Sequence, residues 1–165
     1  MIITLTGFMG SGKTTVGRVL ADWLGCPFTD LDEEVVRKAG TSIPEIFSAE
    51  GEEGFRKREA EALRKIVGKY GGNTAVLSLG GGTLTQPASA ALVHEKTLCI
   101  YLRATLETLL SRLEGETEGR PLAGEGLAER LSSRTPVYEK TAHVTVDTDG
   151  LSPEEIADEI IISVL

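Results

Sequence analysis

Apolar positions along the chain follow two alternating rhythms. Short apolar runs at residues 2–6, 26–29, 74–79, 97–102 and 143–146 read as strands. Between them lie longer stretches with helical period. In Thr14–Leu24, residues Val16, Val19, Leu20, Trp23 and Leu24 recur on one face. Residues 31–70 are helix-rich and charged, and further helices are expected near 86–94, 104–114, 124–141 and 153–164. Such alternation predicts an α/β fold of three layers, with a central five-stranded parallel sheet covered by helices on both faces. Sheets of this type carry their sites beyond the strand C-termini.

Two stretches break the rhythm. Residues 31–62 read as a charged helical insertion between strands. Residues 114–126, EGETEGRPLAGEG, are polar and Gly-rich and read as a mobile loop.

The first strand runs directly into GFMGSGKT, Gly7 to Thr14, a full match to the phosphate-loop pattern G-x-x-x-x-G-K-[ST]. Strand before and amphipathic helix after supply the context the pattern needs. Glycines let consecutive N–H groups turn inward, and the helix adds its N-terminal dipole. The residues expected to contact a nucleoside triphosphate are Gly10, Ser11, Gly12, Lys13, Thr14 and Thr15. Lys13 supplies charge to the β- and γ-phosphates, and the Thr14 hydroxyl is placed to ligate Mg²⁺.

FTDLDEEV sets Asp30 and Asp32 at the end of the second strand. Residues two apart in extended chain point the same way, roughly 6.5–7 Å apart. The pair suits metal holding and acceptance of a hydrogen bond from a substrate hydroxyl. Asp30 equally suits the N-cap of the helix that follows. The third strand ends in SLGGGTL, where a carboxylate is often found but three glycines stand instead. Arg56, Lys57 and Arg58 lie in the insertion, with Glu52 and Glu59 available as solvated partners. Arg120 lies in the polar loop and Arg134 on the penultimate helix. Spacing does not decide among these cations.

Length and charge narrow the class. The 165 residues amount to one domain, and a net charge of −8 without a basic run argues against nucleic-acid or anionic-membrane binding. Cys26 and Cys99 read as buried free thiols of a reducing compartment. The stretch MIITLTGFMGSGK does not read as a signal peptide and no apolar run reaches membrane-spanning length, so a cytoplasmic protein is expected.

Taken in order, GFMGSGKTTVGR, FTDLDEEV, TSIPEIFSAEGEEGFRKREAEAL, SLGGGTL, RPLAG and RTPVYEKTAHVTVDT resemble the shikimate kinase family over nearly the whole chain. That resemblance implies a single P-loop kinase domain with a substrate-binding insertion at about 31–62 and a lid at about 113–125. It implies transfer of the ATP γ-phosphate to the 3-hydroxyl of shikimate, giving shikimate 3-phosphate and ADP for aromatic amino-acid synthesis through chorismate. On matching positions, Asp32 holds the ring hydroxyls and is a candidate base, while Arg56 and Arg134 pair with the carboxylate. Gly81, between Gly80 and Gly82, offers its N–H to the substrate. Arg120 is the lid arginine at the phosphates, and Asp30 helps Thr14 place Mg²⁺. Arg112 and Pro153 sandwich adenine. Arg56 is preferred to Arg58 because it directly follows Phe55. Lys13, Asp32 and Arg120 form the expected catalytic set, and a monomer is expected. A gluconate kinase or a nucleotide-binding regulatory module are the rival readings. The first is not expected to share the Asp-x-Asp, F-R-x-x-E and triple-glycine set, and the second does not need Lys13, Asp32 and Arg120 intact.

Overall fold

A computed structural model describes residues 1–8, 11–114 and 126–164. The chain runs β1 (Ile2–Thr6), α1 (Lys13–Leu24), β2 (Phe28–Asp30), α2 (Leu31–Ala39), α3 (Ile43–Tyr70), β3 (Ala75–Ser78), a 3-10 turn at Thr83–Thr85, α4 (Pro87–Lys96), β4 (Leu98–Arg103), α5 (Leu106–Glu114), α6 (Leu127–Thr141), β5 (Val144–Asp147) and α7 (Pro153–Val164).

The five strands form one parallel sheet in the order β2-β3-β1-β4-β5. β1 is central and buried at every position, so it is apolar or small throughout instead of alternating. Alternate residues feed two separate apolar layers. Leu5, Val76, Ile100 and Leu102 meet Val16 and Leu20 of α1 and Ile156 and Ile160 of α7. Leu77, Cys99 and Tyr101 point the other way, toward Leu31, Ile46, Phe55, Leu63, Val93 and Tyr138 of α2, α3, α4 and α6. The expected three-layer arrangement is therefore present.

The short β2 starts two residues later than the sequence suggests and reaches Asp30, because Cys26 and Pro27 are spent leaving the C-cap of α1 at Gly25. Asp30 thereby becomes both the last strand residue and the cap of α2. The helical run of the insertion carries on to Tyr70. α3 is kinked where Gly51 takes φ 73° and ψ −179°. Across that kink Phe47 stacks on Phe55 at 4.9 Å, and Arg58 grips Glu50 with two nitrogens. Those contacts hold the two segments of α3 together at the bend.

Candidate active site

At the end of β1 the backbone enters the phosphate loop through conformations that require glycine. Gly7 has φ 150° and Gly12 φ 88°. A Cβ on Gly7 would lie 2.7 Å from the Leu102 carbonyl oxygen. Lys13 Nζ donates to the Gly7 and Phe8 carbonyls at 2.8 and 3.1 Å, which holds the ammonium over the loop. The N-terminus of α1 has no side-chain cap, and Ser11 Oγ is buried with no hydrogen-bond partner among the described residues. Uncapped amides, an orphaned hydroxyl and an ammonium together suit a polyphosphate. Thr15 is exposed on the first turn of α1, while Gly10 lies outside the described residues.

Asp30 divides its two oxygens. Oδ2 accepts from Thr14 Oγ1 at 2.8 Å, and Oδ1 accepts from the Glu33 N–H at 3.1 Å. Capping and pairing with Thr14 are thus both performed, one oxygen each. Hydroxyl plus carboxylate is a hard-oxygen donor set that fits Mg²⁺, with phosphate oxygens and water completing the shell.

Asp32, in the first turn of α2, is pushed up to about 6. Burial is the main cause, followed by the negative charges of Asp30 and Glu59, with Lys13 and Arg56 opposing. Its neighbour across the site is the glycine loop: a Cβ on Gly80 would meet Asp32 Oδ1 and Glu59 Oε2, each at 3.1 Å.

Glu59 is the main residue that sequence reasoning missed. Instead of a solvated partner it is 1% exposed. Its Oε1 accepts from Arg56 Nη1 at 2.8 Å, and its Oε2 accepts from Thr83 Oγ1 at 2.9 Å. Thr83 Oγ1 in turn accepts from the Gly80 N–H at 2.9 Å. The signal was a glutamate on an apolar stripe, since Phe55, Ala62, Leu63 and Ile66 share its face of α3. Arg56 is turned inward beside Gly82, where a Cβ would fall 2.3 Å from Arg56 Nη2. Arg58 is bound to Glu50 on the surface, so the two arginines lie in different surroundings.

From the other side, α6 brings Arg134 over the Phe8 ring at 5.7 Å, against the phosphate loop. One turn later the Tyr138 hydroxyl donates to the Gly81 carbonyl at 2.5 Å. Thr85 Oγ1 donates to the Gly82 carbonyl at 2.6 Å. Lys13, Thr14, Asp30, Asp32, Arg56, Gly80–Gly82 and Arg134 therefore converge beyond the C-terminal ends of β1, β2 and β3.

Arg112 and Pro153 lie on α5 and at the start of α7, the elements flanking β4 and β5. The Arg112 charge acts on Asp149, whose Oδ1 accepts from the Thr105 N–H, and Pro153 opens α7 four residues further on. Arg120 lies outside the described residues. Among the described residues no group of three or more His, Cys, Asp and Glu gathers to hold a metal.

A phosphate loop at the end of the central strand, a Thr14–Asp30 pair beside it and a glycine loop against Asp32 and Arg56 form the arrangement of a P-loop phosphotransferase. Comparison with known proteins narrows this class. The shikimate kinase family profile matches residues 9–165. The shikimate kinase of Enterococcus faecalis is 44% identical over 164 residues, covering 96% of this chain and 95% of that protein. That of Thermus thermophilus is also 44% identical, over 96% of this chain and 87% of its own. Among solved structures, shikimate kinase from Acinetobacter baumannii in complex with shikimate superposes with a TM-score of 0.89 at 37% identity, covering 99% of this chain and 92% of that one. The Aquifex aeolicus enzyme superposes with a TM-score of 0.84 at 36% identity, over 99% of this chain and 95% of that one. The chain belongs to the shikimate kinase family, and is thereby an ATP-dependent phosphotransferase.

Proposed function

We propose that this chain transfers the γ-phosphate of ATP to the 3-hydroxyl of shikimate, giving shikimate 3-phosphate and ADP. One observation carries the reading to the level of residues: Asp32 and Arg56 face a side-chain-free glycine surface next to the Lys13 loop. A small anionic triol needs that combination of a cation for its carboxylate, an acceptor for its hydroxyls and close approach to backbone.

The loop amides from Gly10 to Thr15 and Lys13 bind the triphosphate. Thr14 and Asp30 are the residues that would hold Mg²⁺, which when bound would neutralise phosphate charge. Arg56 and Arg134 grip the shikimate carboxylate and Gly81 offers its N–H, so the ring is fixed relative to the phosphate. Asp32 accepts a hydrogen bond from the attacking hydroxyl and aims its oxygen at phosphorus. Its carboxyl, held at about 6, is mostly ionised at neutral pH and able to take the proton. Because the transition state is largely dissociative, orientation is the larger part of its work. Arg120 is assigned to the transferring phosphate, on the lid at 113–125, and Arg112 and Pro153 to the faces of adenine. The free thiols Cys26 and Cys99 suit a reducing cytoplasm, and we extend the reading to a monomer there.

Coupled ADP release with shikimate, gluconate and nucleoside monophosphates as alternative acceptors tests the assignment. Turnover with shikimate alone is expected. Turnover with another acceptor and none with shikimate overturns it.

A further inference from the structure

Tyr138 is an expensive residue for its place. It is fully buried, and its ring lies 5.2 Å from that of Tyr101 on β4. A phenylalanine would fill the same space without a polar atom to satisfy. The hydroxyl is used for one contact across a long stretch of chain: it donates to the Gly81 carbonyl, 57 residues away, at 2.5 Å.

That carbonyl belongs to the Gly81–Gly82 peptide. Three successive glycines have no side chains to hold them and the largest conformational entropy to lose, so the loop's shape depends on hydrogen bonds lent by other residues. Two of these are local. Thr83 Oγ1 holds the Gly80 N–H, and Thr85 Oγ1 holds the Gly82 carbonyl, each three residues along. Thr83 passes its hold on to Glu59 of α3, while Tyr138 bonds the loop backbone directly from α6 on the other side. That element also carries Arg134, one turn earlier on α6. Burial pushes the Tyr138 phenol up to about 12, although the Arg134 guanidinium opposes this by charge and by hydrogen bonding. The group therefore stays protonated, a permanent donor, across the working pH range.

We propose that Tyr138 is a positioning residue for the acceptor: its hydroxyl fixes the Gly81–Gly82 peptide and ties the glycine loop to the helical turn that carries Arg134. Two acceptor contacts, the loop amide and the α6 arginine, are thereby held in one frame. This rests on the acceptor-site reading above. Tyr138 does not touch the reacting atoms in this scheme.

Tyr138→Phe keeps the ring and its tilted contact with Tyr101 while removing the donor. The expected result is a rise of about tenfold in KM for shikimate, with KM for ATP within about twofold and kcat little changed. Amide exchange at Gly80, whose N–H is held by Thr83 Oγ1 within the same loop, should quicken by about tenfold without substrate, since loss of the hydroxyl loosens the loop. Tyr101→Phe, which leaves the Gly81 contact intact, should change neither quantity. An unchanged KM for shikimate, an equal rise in both KM values, or unchanged exchange at Gly80 overturns the proposal. The unmodified enzyme in the same assay keeps the two readings separate: no turnover of shikimate there sinks the functional assignment, while the exchange comparison still decides the clamp.

Discussion

Thr14 and Asp30 are joined by a 2.8 Å hydrogen bond between the first turn of α1 and the last residue of β2, while the other oxygen of the same carboxylate caps α2. One side chain thus serves the phosphate loop and the start of the substrate-side helices. The two duties separate by mutation. Asp30→Asn keeps a capping side chain of similar strength, so stability should move by less than about 0.5 kcal/mol. The concentration of Mg²⁺ giving half-maximal activity should rise at least about tenfold, because a neutral amide is a poor partner for a hard dication. Asp30→Ala should add a stability loss of about 1 kcal/mol from the lost cap. Metal titrations of activity alongside thermal denaturation check both. An Asn variant with unaltered metal dependence removes Asp30 from the metal site.

The Arg56–Glu59 pair is a buried ion pair, with side chains 13% and 2% exposed. Removing only the carboxylate leaves a guanidinium without its closest partner in a poorly solvated place. Glu59→Ala should therefore cost about 3 kcal/mol, or roughly 6–12 °C in Tm for a chain of this size. KM for shikimate should rise more than about tenfold, while KM for ATP holds. Replacing both members by apolar residues, Arg56→Met with Glu59→Leu, should recover most of the stability and none of the acceptor affinity. Recovery of turnover in the double variant would show that the pair is structural only.

How far the sequence reached follows from which features are local. The strands β1, β3 and β4 and the described part of the phosphate loop are set by residues next to one another and lie close to where the pattern placed them. Asp32, expected beside Asp30 in extended chain, stands instead in the first turn of α2 because the helix begins at Leu31. Glu59, Thr83 and Tyr138 are different. Each is recognisable only through a partner brought by the fold, 24 residues away for Glu59 and Thr83 and 57 for Tyr138 and Gly81. Glu59 in particular follows arginine at helical spacing, and on its own reads as a surface pair. What overrides that reading is the apolar stripe of α3, which turns the same face toward β3 and the glycine loop. The boundary of β2 slipped for a similar reason, since Cys26 and Pro27 look strand-like but are used to leave α1.

Asp32 should make activity and stability respond oppositely to pH. Its folded-state carboxyl sits at about 6, above the ordinary 3.8. Between those values the folded state binds more protons than the unfolded chain, so stability falls as pH rises from about 4 to about 6, and the deficit persists above. Asp32→Asn should remove that deficit and stabilise the protein at neutral pH by an amount of the order of 2 kcal/mol. Activity moves the other way, because only the ionised carboxylate accepts the hydroxyl hydrogen. The acid limb of kcat/KM for shikimate should fall with a midpoint near about 6 and disappear in the Asn variant, whose turnover is mostly lost. A variant no more stable than the parent at pH 7, yet with the same acid limb, would remove Asp32 from both roles.

Gly82 tests whether the triple glycine is needed for space rather than for backbone freedom. Its φ is −107°, which any residue adopts, so a side chain there causes no backbone strain. The obstacle is Arg56: an added Cβ would stand 2.3 Å from Nη2 and 2.9 Å from the guanidinium carbon. Arg56 cannot simply swing away, since Glu59 holds Nη1 and Phe55 lies under the guanidinium at 5.2 Å. Gly82→Ala should therefore displace the guanidinium and raise KM for shikimate by about ten- to a hundredfold, leaving nucleotide affinity within about twofold. The loss of stability should be modest, about 1–2 kcal/mol, because the clash falls on one side chain and not on the core. Measuring ATP and shikimate binding separately on the purified variant decides it. Equal weakening of both ligands would mean that the methyl group disturbs the phosphate loop as well, and that Arg56 is not held against the glycines as the geometry requires.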